Sequence, residues 1–168
     1  ELRRFCGELD KAASDFERLG RCMEAFEMRN PAVVAWRSHR ALALLALDRR
    51  DEALELAREE VELARAWGSP RPIGVALRTL GLAQGGAEGI ETLRESLAAL
   101  EGSSAKLERA RTLVELGAAL RRANQRADAR ERFAWTFAYG PSSSLVAKLA
   151  SDHGATAARV EWTEREGA

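Results

Sequence analysis

Three glycine-led breaks pace this chain, and their spacing limits what it can fold into. Gly68-Ser69-Pro70, Gly102-Ser103-Ser104 and Gly140-Pro141-Ser142-Ser143 each close one run of helix formers and open the next; the glycines stand 34 and then 38 residues apart. Glycine takes the left-handed geometry just past a helix end, and serine followed by proline or a polar residue suits the next N-cap. Asn30-Pro31 reads the same way, with Asn as cap and Pro at the first helical position. Weaker breaks at Asp48-Arg49-Arg50-Asp51, Gly85-Gly86 and Asn124-Gln125-Arg126 fall inside the intervals. Helix, short turn, helix, break, at a period of about 34 residues, is the signature of tetratricopeptide-like arrays.

The segments between breaks are rich in Ala, Leu, Arg and Glu, all strong helix formers, and strand signals are nearly absent. Apolar residues recur at helical spacing, as in Leu54, Ala57, Val61, Ala64 and in Leu93, Leu97, Leu100. The expected fold is all-α: a tetratricopeptide-like array of antiparallel helix pairs in a right-handed superhelix, one domain over residues 1–168. Helices are expected over 9–28, 33–47, 51–67, 72–84, 87–100, 105–123, 127–138, 144–152 and 156–165. The first reads as the second helix of a pair whose partner precedes residue 9, so the chain reads as a piece of something longer.

The repeat register gives this reading detail. Such a repeat wants Leu-Gly where its helices cross, a small residue twelve positions later, a bulky one four further on, then Pro. Leu116-Gly117, Ala129, Phe133 and Pro141 fit at every step. Glycine in mid-helix costs up to about 1 kcal/mol relative to alanine, so Gly117 needs a reason; close packing on Ala129 is the expected one. The earlier unit offers Ala41 and Ala53. The middle one is degenerate: Gly89 follows Gly81 by eight residues, about one helical turn short.

Charge and chemistry exclude several classes of function. The chain holds 26 basic and 26 acidic residues, which removes the basic excess a dedicated nucleic-acid binder carries. Its longest apolar run, residues 41–47, is far short of the ~20 a membrane span needs. Cys6 and Cys22 are too few for a disulfide framework and read as partly buried free thiols of a reducing cytoplasm. His39 and His153 have no neighbour at metal-ligand spacing, and no phosphate-cradling loop, nucleophile elbow or H-E-x-x-H is present. No cofactor and no catalytic residue is expected. Glu55, Glu59, Glu60 and Glu62, interleaved with Arg58 and Arg65, read as a solvated helix face, and Glu17 with Arg21 as an i,i+4 pair.

Two sets of residues suit a ligand or partner. Trp36 beside Arg37 forms a candidate platform for a planar or anionic group. Arg78, Arg111, Arg121 and Arg122 are turned by the register toward the concave face, where several guanidinium groups suit a carboxylate or phosphate. Wedging between helices is the structural alternative for Trp36, Trp67, Trp135 and Trp162, and solubilising charge for the arginines. The aromatic run near Trp135 either packs inward or forms a homodimer contact.

Several runs also resemble one family. They are Arg29-Asn30-Pro31-Ala32-Val33-Val34-Ala35-Trp36-Arg37-Ser38, Leu47-Asp48-Arg49-Arg50-Asp51-Glu52-Ala53 and Ala66-Trp67-Gly68-Ser69-Pro70-Arg71. With them go residues 107–123, which open Leu107-Glu108-Arg109-Ala110-Arg111 and contain Leu116-Gly117, and the late turn His153-Gly154-Ala155-Thr156-Ala157. Together they resemble the helical middle of large ATP-binding LuxR-type transcriptional regulators of actinobacteria. The resemblance covers residues 9–132 and resumes near 145; residues 133–144 depart from the pattern. It implies a sensor or interaction module, similar to the middle of the maltose-regulon activator. Such a module takes a small-molecule inducer or protein partner on its concave face and relays this to ATPase and DNA-reading modules outside the chain. By itself it binds neither membrane nor nucleic acid. The alternative is a plain tetratricopeptide scaffold for a protein segment.

Overall fold

A computed structural model of the chain describes residues 6–124, which form six helices and no strand. They are α1 (Leu9–Ala25), α2 (Trp36–Ala46), α3 (Arg50–Trp67), α4 (Pro70–Gln84), α5 (Gly86–Leu100) and α6 (Lys106–Arg122). Each helix packs on the next, α2 also touches α4, and α4 touches α6. That layering, in which an element meets only near neighbours in sequence, is how a helical repeat array buries its faces. The expected helices over 127–138, 144–152 and 156–165 lie outside the described residues, as do Ala129, Phe133, Pro141, Trp135 and Trp162.

The core is built from small residues where helices cross and leucines between crossings. Ala41, Ala53, Ala57, Ala64 and Ala76 are fully buried, as are Leu93, Leu100, Leu116 and Leu120. Each such leucine contributes about 1.5–3 kcal/mol by leaving water. Ala41 and Ala53, the pair the register singled out, share one buried cluster. Elsewhere glycine makes the crossing. A methyl group on Gly20 would stand 2.5 Å from the Trp36 ring, and one on Gly74 would stand 2.4 Å from Leu100.

Most helix ends follow the breaks, and the exceptions have local causes. Gly68 closes α3 in left-handed geometry at φ 78°, and Ser69 precedes Pro70 at the start of α4. The first helix, expected to reach residue 28, stops at Ala25 because Glu27 turns left-handed at φ 54° without a glycine. The amide of Met28 then donates to the Met23 carbonyl at 2.8 Å, which satisfies a helix-end acceptor. Asn30-Pro31 does not open α2. The Asn30 side-chain oxygen accepts from the Ala32 amide at 2.8 Å, and this local turn delays the helix to Trp36. Cys6 and Cys22 are free as expected, but both are exposed rather than partly buried.

Candidate functional site: a cationic notch at the short hairpin

The degenerate middle unit turns out to matter most. Gly81 and Gly89 face each other across the α4–α5 crossing, so close that a methyl on Gly89 would meet the Gly81 carbonyl oxygen at 2.3 Å. A small-on-small crossing therefore joins α4 and α5, and its two glycines stand eight residues apart, four fewer than Ala41 and Ala53. Gly85 and Gly86, both at positive φ, close the α4–α5 hairpin at once. Its neighbours do not stop with it: α6 runs on to Arg122, five residues past Gly117, whereas α4 ends three past Gly81.

A cavity of about 400 Å³ occupies this place, between the short hairpin, the start of α3 and the end of α6. Leu82, Ile90, Leu93 and Ala119 give it apolar walls, and Arg50 and Arg122 give it charge. Arg50 comes from the preceding unit and Arg122 from the following one. Arg50 donates to the Gln84 carbonyl at 3.0 Å, capping the end of α4. This contact explains a cation on the first residue of α3, where the dipole of its own helix disfavours one.

Of the arginines expected on the concave face, Arg122 lines the cavity, and both it and its neighbour Arg121 are exposed. Arg78 does not present a free guanidinium. It is buried and donates to the Glu108 carboxylate at 2.7 Å, the Glu108 carbonyl at 3.0 Å and the Thr112 hydroxyl at 3.4 Å. Arg111 is half-buried and donates to the other Glu108 carboxylate oxygen at 3.0 Å. Thr112 in turn meets Ser96 at 3.2 Å, and Ser96 donates to the Gly74 carbonyl. This polar seam ties α4, α5 and α6 together. Burial pushes the Glu108 carboxyl up, but Arg78, by charge and hydrogen bond, with help from Arg111 and Arg71, holds it below the usual carboxylate range.

Trp36 and Arg37 do not form an open platform either. Trp36 is buried against Gly20, and the Arg37 guanidinium lies over its ring, 4.3 Å from the centroid. Arg37 is itself buried and reaches Glu59 at 2.9 Å, Glu24 at 3.2 Å and Glu60 at 3.9 Å. A stacked Trp-Arg pair adjacent in sequence is thus spent inside the helix packing. Glu60, read from sequence as part of a solvated face, is 1% exposed. Burial raises its carboxyl to about 7; Arg37 and the Ser38 backbone amide offset this only partly, and Glu59 adds to it. The Oε1 atom of Glu60 and the Ser38 hydroxyl have no hydrogen-bond partner.

Trp67 is 55% exposed and does not wedge between helices. Leu116 and Gly117 are buried in α6; Ala129, the expected partner of Gly117, lies outside the described residues. The described residues hold no cluster of His, Cys, Asp and Glu able to bind a metal, and no helix among them is long and apolar enough to cross a membrane. Arg50 is the site residue that the sequence reading passed over, as one basic residue in a turn. Its signal is a cation at the first position of a helix, where the helix dipole disfavours one. No protein-family model, curated protein or solved structure matches this chain.

Proposed function

We propose that this chain is the sensor or interaction module of a LuxR-type transcriptional regulator, built as a tetratricopeptide-like superhelix. It takes an inducer or partner and relays that event to ATPase and DNA-reading modules outside the chain. The observation that carries this reading is the notch: one cavity touched by three successive units of the array, through Arg50, the α4–α5 hairpin and Arg122. A ligand held there bridges units whose relative packing sets the shape of the array. Differential affinity for two packings then shifts their populations, which is all that a relay requires. The residues in this reading bind and pack, and none is assigned a catalytic role.

A plain scaffold for a protein segment is the second reading. It draws support from Phe26, Met28 and Val33, three exposed apolar side chains in the α1–α2 connection, together with exposed Trp67. Native mass spectrometry of the gently purified chain, against its denatured mass, separates the two. A co-purifying small-molecule mass lost on denaturation supports the sensor. A bare chain that gains no mass when offered cell metabolites, yet retains a protein partner, supports the scaffold.

A further inference from the structure

We infer that the notch binds a small organic carboxylate with an apolar body. The inference names a ligand class for the sensor reading and rests on that reading for its biological meaning, though its chemistry comes from the walls alone. At about 400 Å³ the cavity lies toward the small end of the ~300–1,000 Å³ usual for ligand pockets. Its described lining contains two guanidinium groups and no carboxylate, in a chain whose acidic and basic residues are equal at 26 each. The remaining side chains of that lining, Leu82, Ile90, Leu93, Ala119 and Ala123, are apolar.

Each half of that lining selects against a simpler ligand. An inorganic anion satisfies the guanidinium groups but leaves the apolar wall wet. A neutral apolar molecule covers the wall but brings no anion to the two exposed guanidinium groups at its rim, so their charge contributes nothing to holding it. A carboxylate on an apolar body meets both demands, because the planar fork of arginine matches a carboxylate in paired hydrogen bonds. Arg50 is also steadied for this. One of its terminal nitrogens is held by the Gln84 carbonyl, so less side-chain freedom is lost when the others take a ligand. The shortened hairpin is what opens the space; four more residues at Gly85-Gly86 would place a further helical turn beside Arg50 and Arg122.

The test is calorimetric titration of the full chain with phenylbutyrate, phenylbutanol and inorganic phosphate, beside Arg122→Gln, Arg50→Gln and Ala119→Phe. Phenylbutyrate should bind one per chain, at least about tenfold tighter than either control. Arg122→Gln should weaken it by about tenfold, as loss of one charge-assisted pair does, with an unchanged melting temperature. Arg50→Gln also removes a helix cap, so Arg122→Gln carries the decision, and Ala119→Phe should abolish binding by filling the floor. No binding of phenylbutyrate, equal binding of phenylbutanol or phosphate, or indifference to Arg122→Gln would overturn the inference. The sensor reading fails separately: binding that leaves amide exchange in α3 and α6 unchanged keeps the site and removes the relay.

Discussion

In the N-terminal half of the array, Glu60 is buried 3.9 Å from Arg37, with one oxygen left unbonded. In the C-terminal half, Glu108 is buried against Arg78 at 2.7 Å and shares its second oxygen with Arg111. The carboxyl of the first rises to about 7, whereas that of the second falls below its usual range. Burial pushes both the same way, so burial cannot explain the difference. Pairing does: a guanidinium in direct contact outweighs lost hydration, and one nearly 4 Å away, already engaged by Glu24 and Glu59, does not. The halves differ at their crossings too, with Ala41 and Ala53 twelve residues apart and Gly81 and Gly89 eight. The C-terminal half is thus tied by a polar seam and by backbone-close packing, and the notch opens at its short hairpin.

Removing a partner from the tight pair should have the largest effect. Glu108→Ala leaves Arg78 buried without its carboxylate and should cost about 3–5 kcal/mol in urea denaturation at neutral pH. A cost below about 1 kcal/mol would make the two halves equivalent and break the comparison. Gly89→Ala comes next. On helix propensity alone alanine would gain up to about 1 kcal/mol, but the crossing admits no methyl, so a loss of about 1–3 kcal/mol is expected. The sign of that change decides between propensity and packing.

Glu60→Gln should act in the opposite direction. The folded chain holds the Glu60 proton more tightly than the unfolded chain, whose carboxyl titrates near the ordinary 4.5. The stability this group contributes is therefore full below 4.5, declines as pH rises to about 7, and is level above, a fall of about 3 kcal/mol. Glu60→Gln should recover about 1–2 kcal/mol of it at pH 8 and change little at acid pH, measured as paired melting curves. Glu108 works the other way: its contribution is present above the ordinary range and is lost as pH falls through its lowered value. The smallest effect belongs to the surface. Arg21→Ala breaks an exposed 3.2 Å pair with Glu17 and should cost under about 0.5 kcal/mol in the same assay.

Much of the scaffold was legible because it rests on local chemistry. Gly68 and Ser69 mark the α3–α4 boundary by their residue types, and the spacing of Ala41 and Ala53 picks out two residues that share one buried cluster. Glu27 was not legible, since a glutamate in left-handed geometry carries no signal until the helix end around it is formed. Glu60 was misread for a different reason. Its neighbours Glu59 and Glu62 face solvent, but Glu60 lies three residues past Ala57 and four before Ala64, on the buried stripe of α3, a position that outweighs its charge. The site divided in the same way. Arg122 could be named from the register, but Arg50 becomes its companion only because the intervening hairpin is short, a consequence of the Gly81–Gly89 spacing that single residues do not display. Arg78 and Arg37 show the converse: basic residues at promising positions are consumed inside the packing, Arg78 by the buried Glu108 and Arg37 by the more exposed Glu24 and Glu59.

The most direct test of the contrast between the halves is a carbon-detected NMR titration of the side-chain carboxyls of Glu60 and Glu108 in the full chain. Pairing distance as the deciding factor predicts a Glu60 midpoint near 7 while Glu108 stays ionised throughout the same range. Midpoints that coincide, whether both ordinary or both raised, would contradict it.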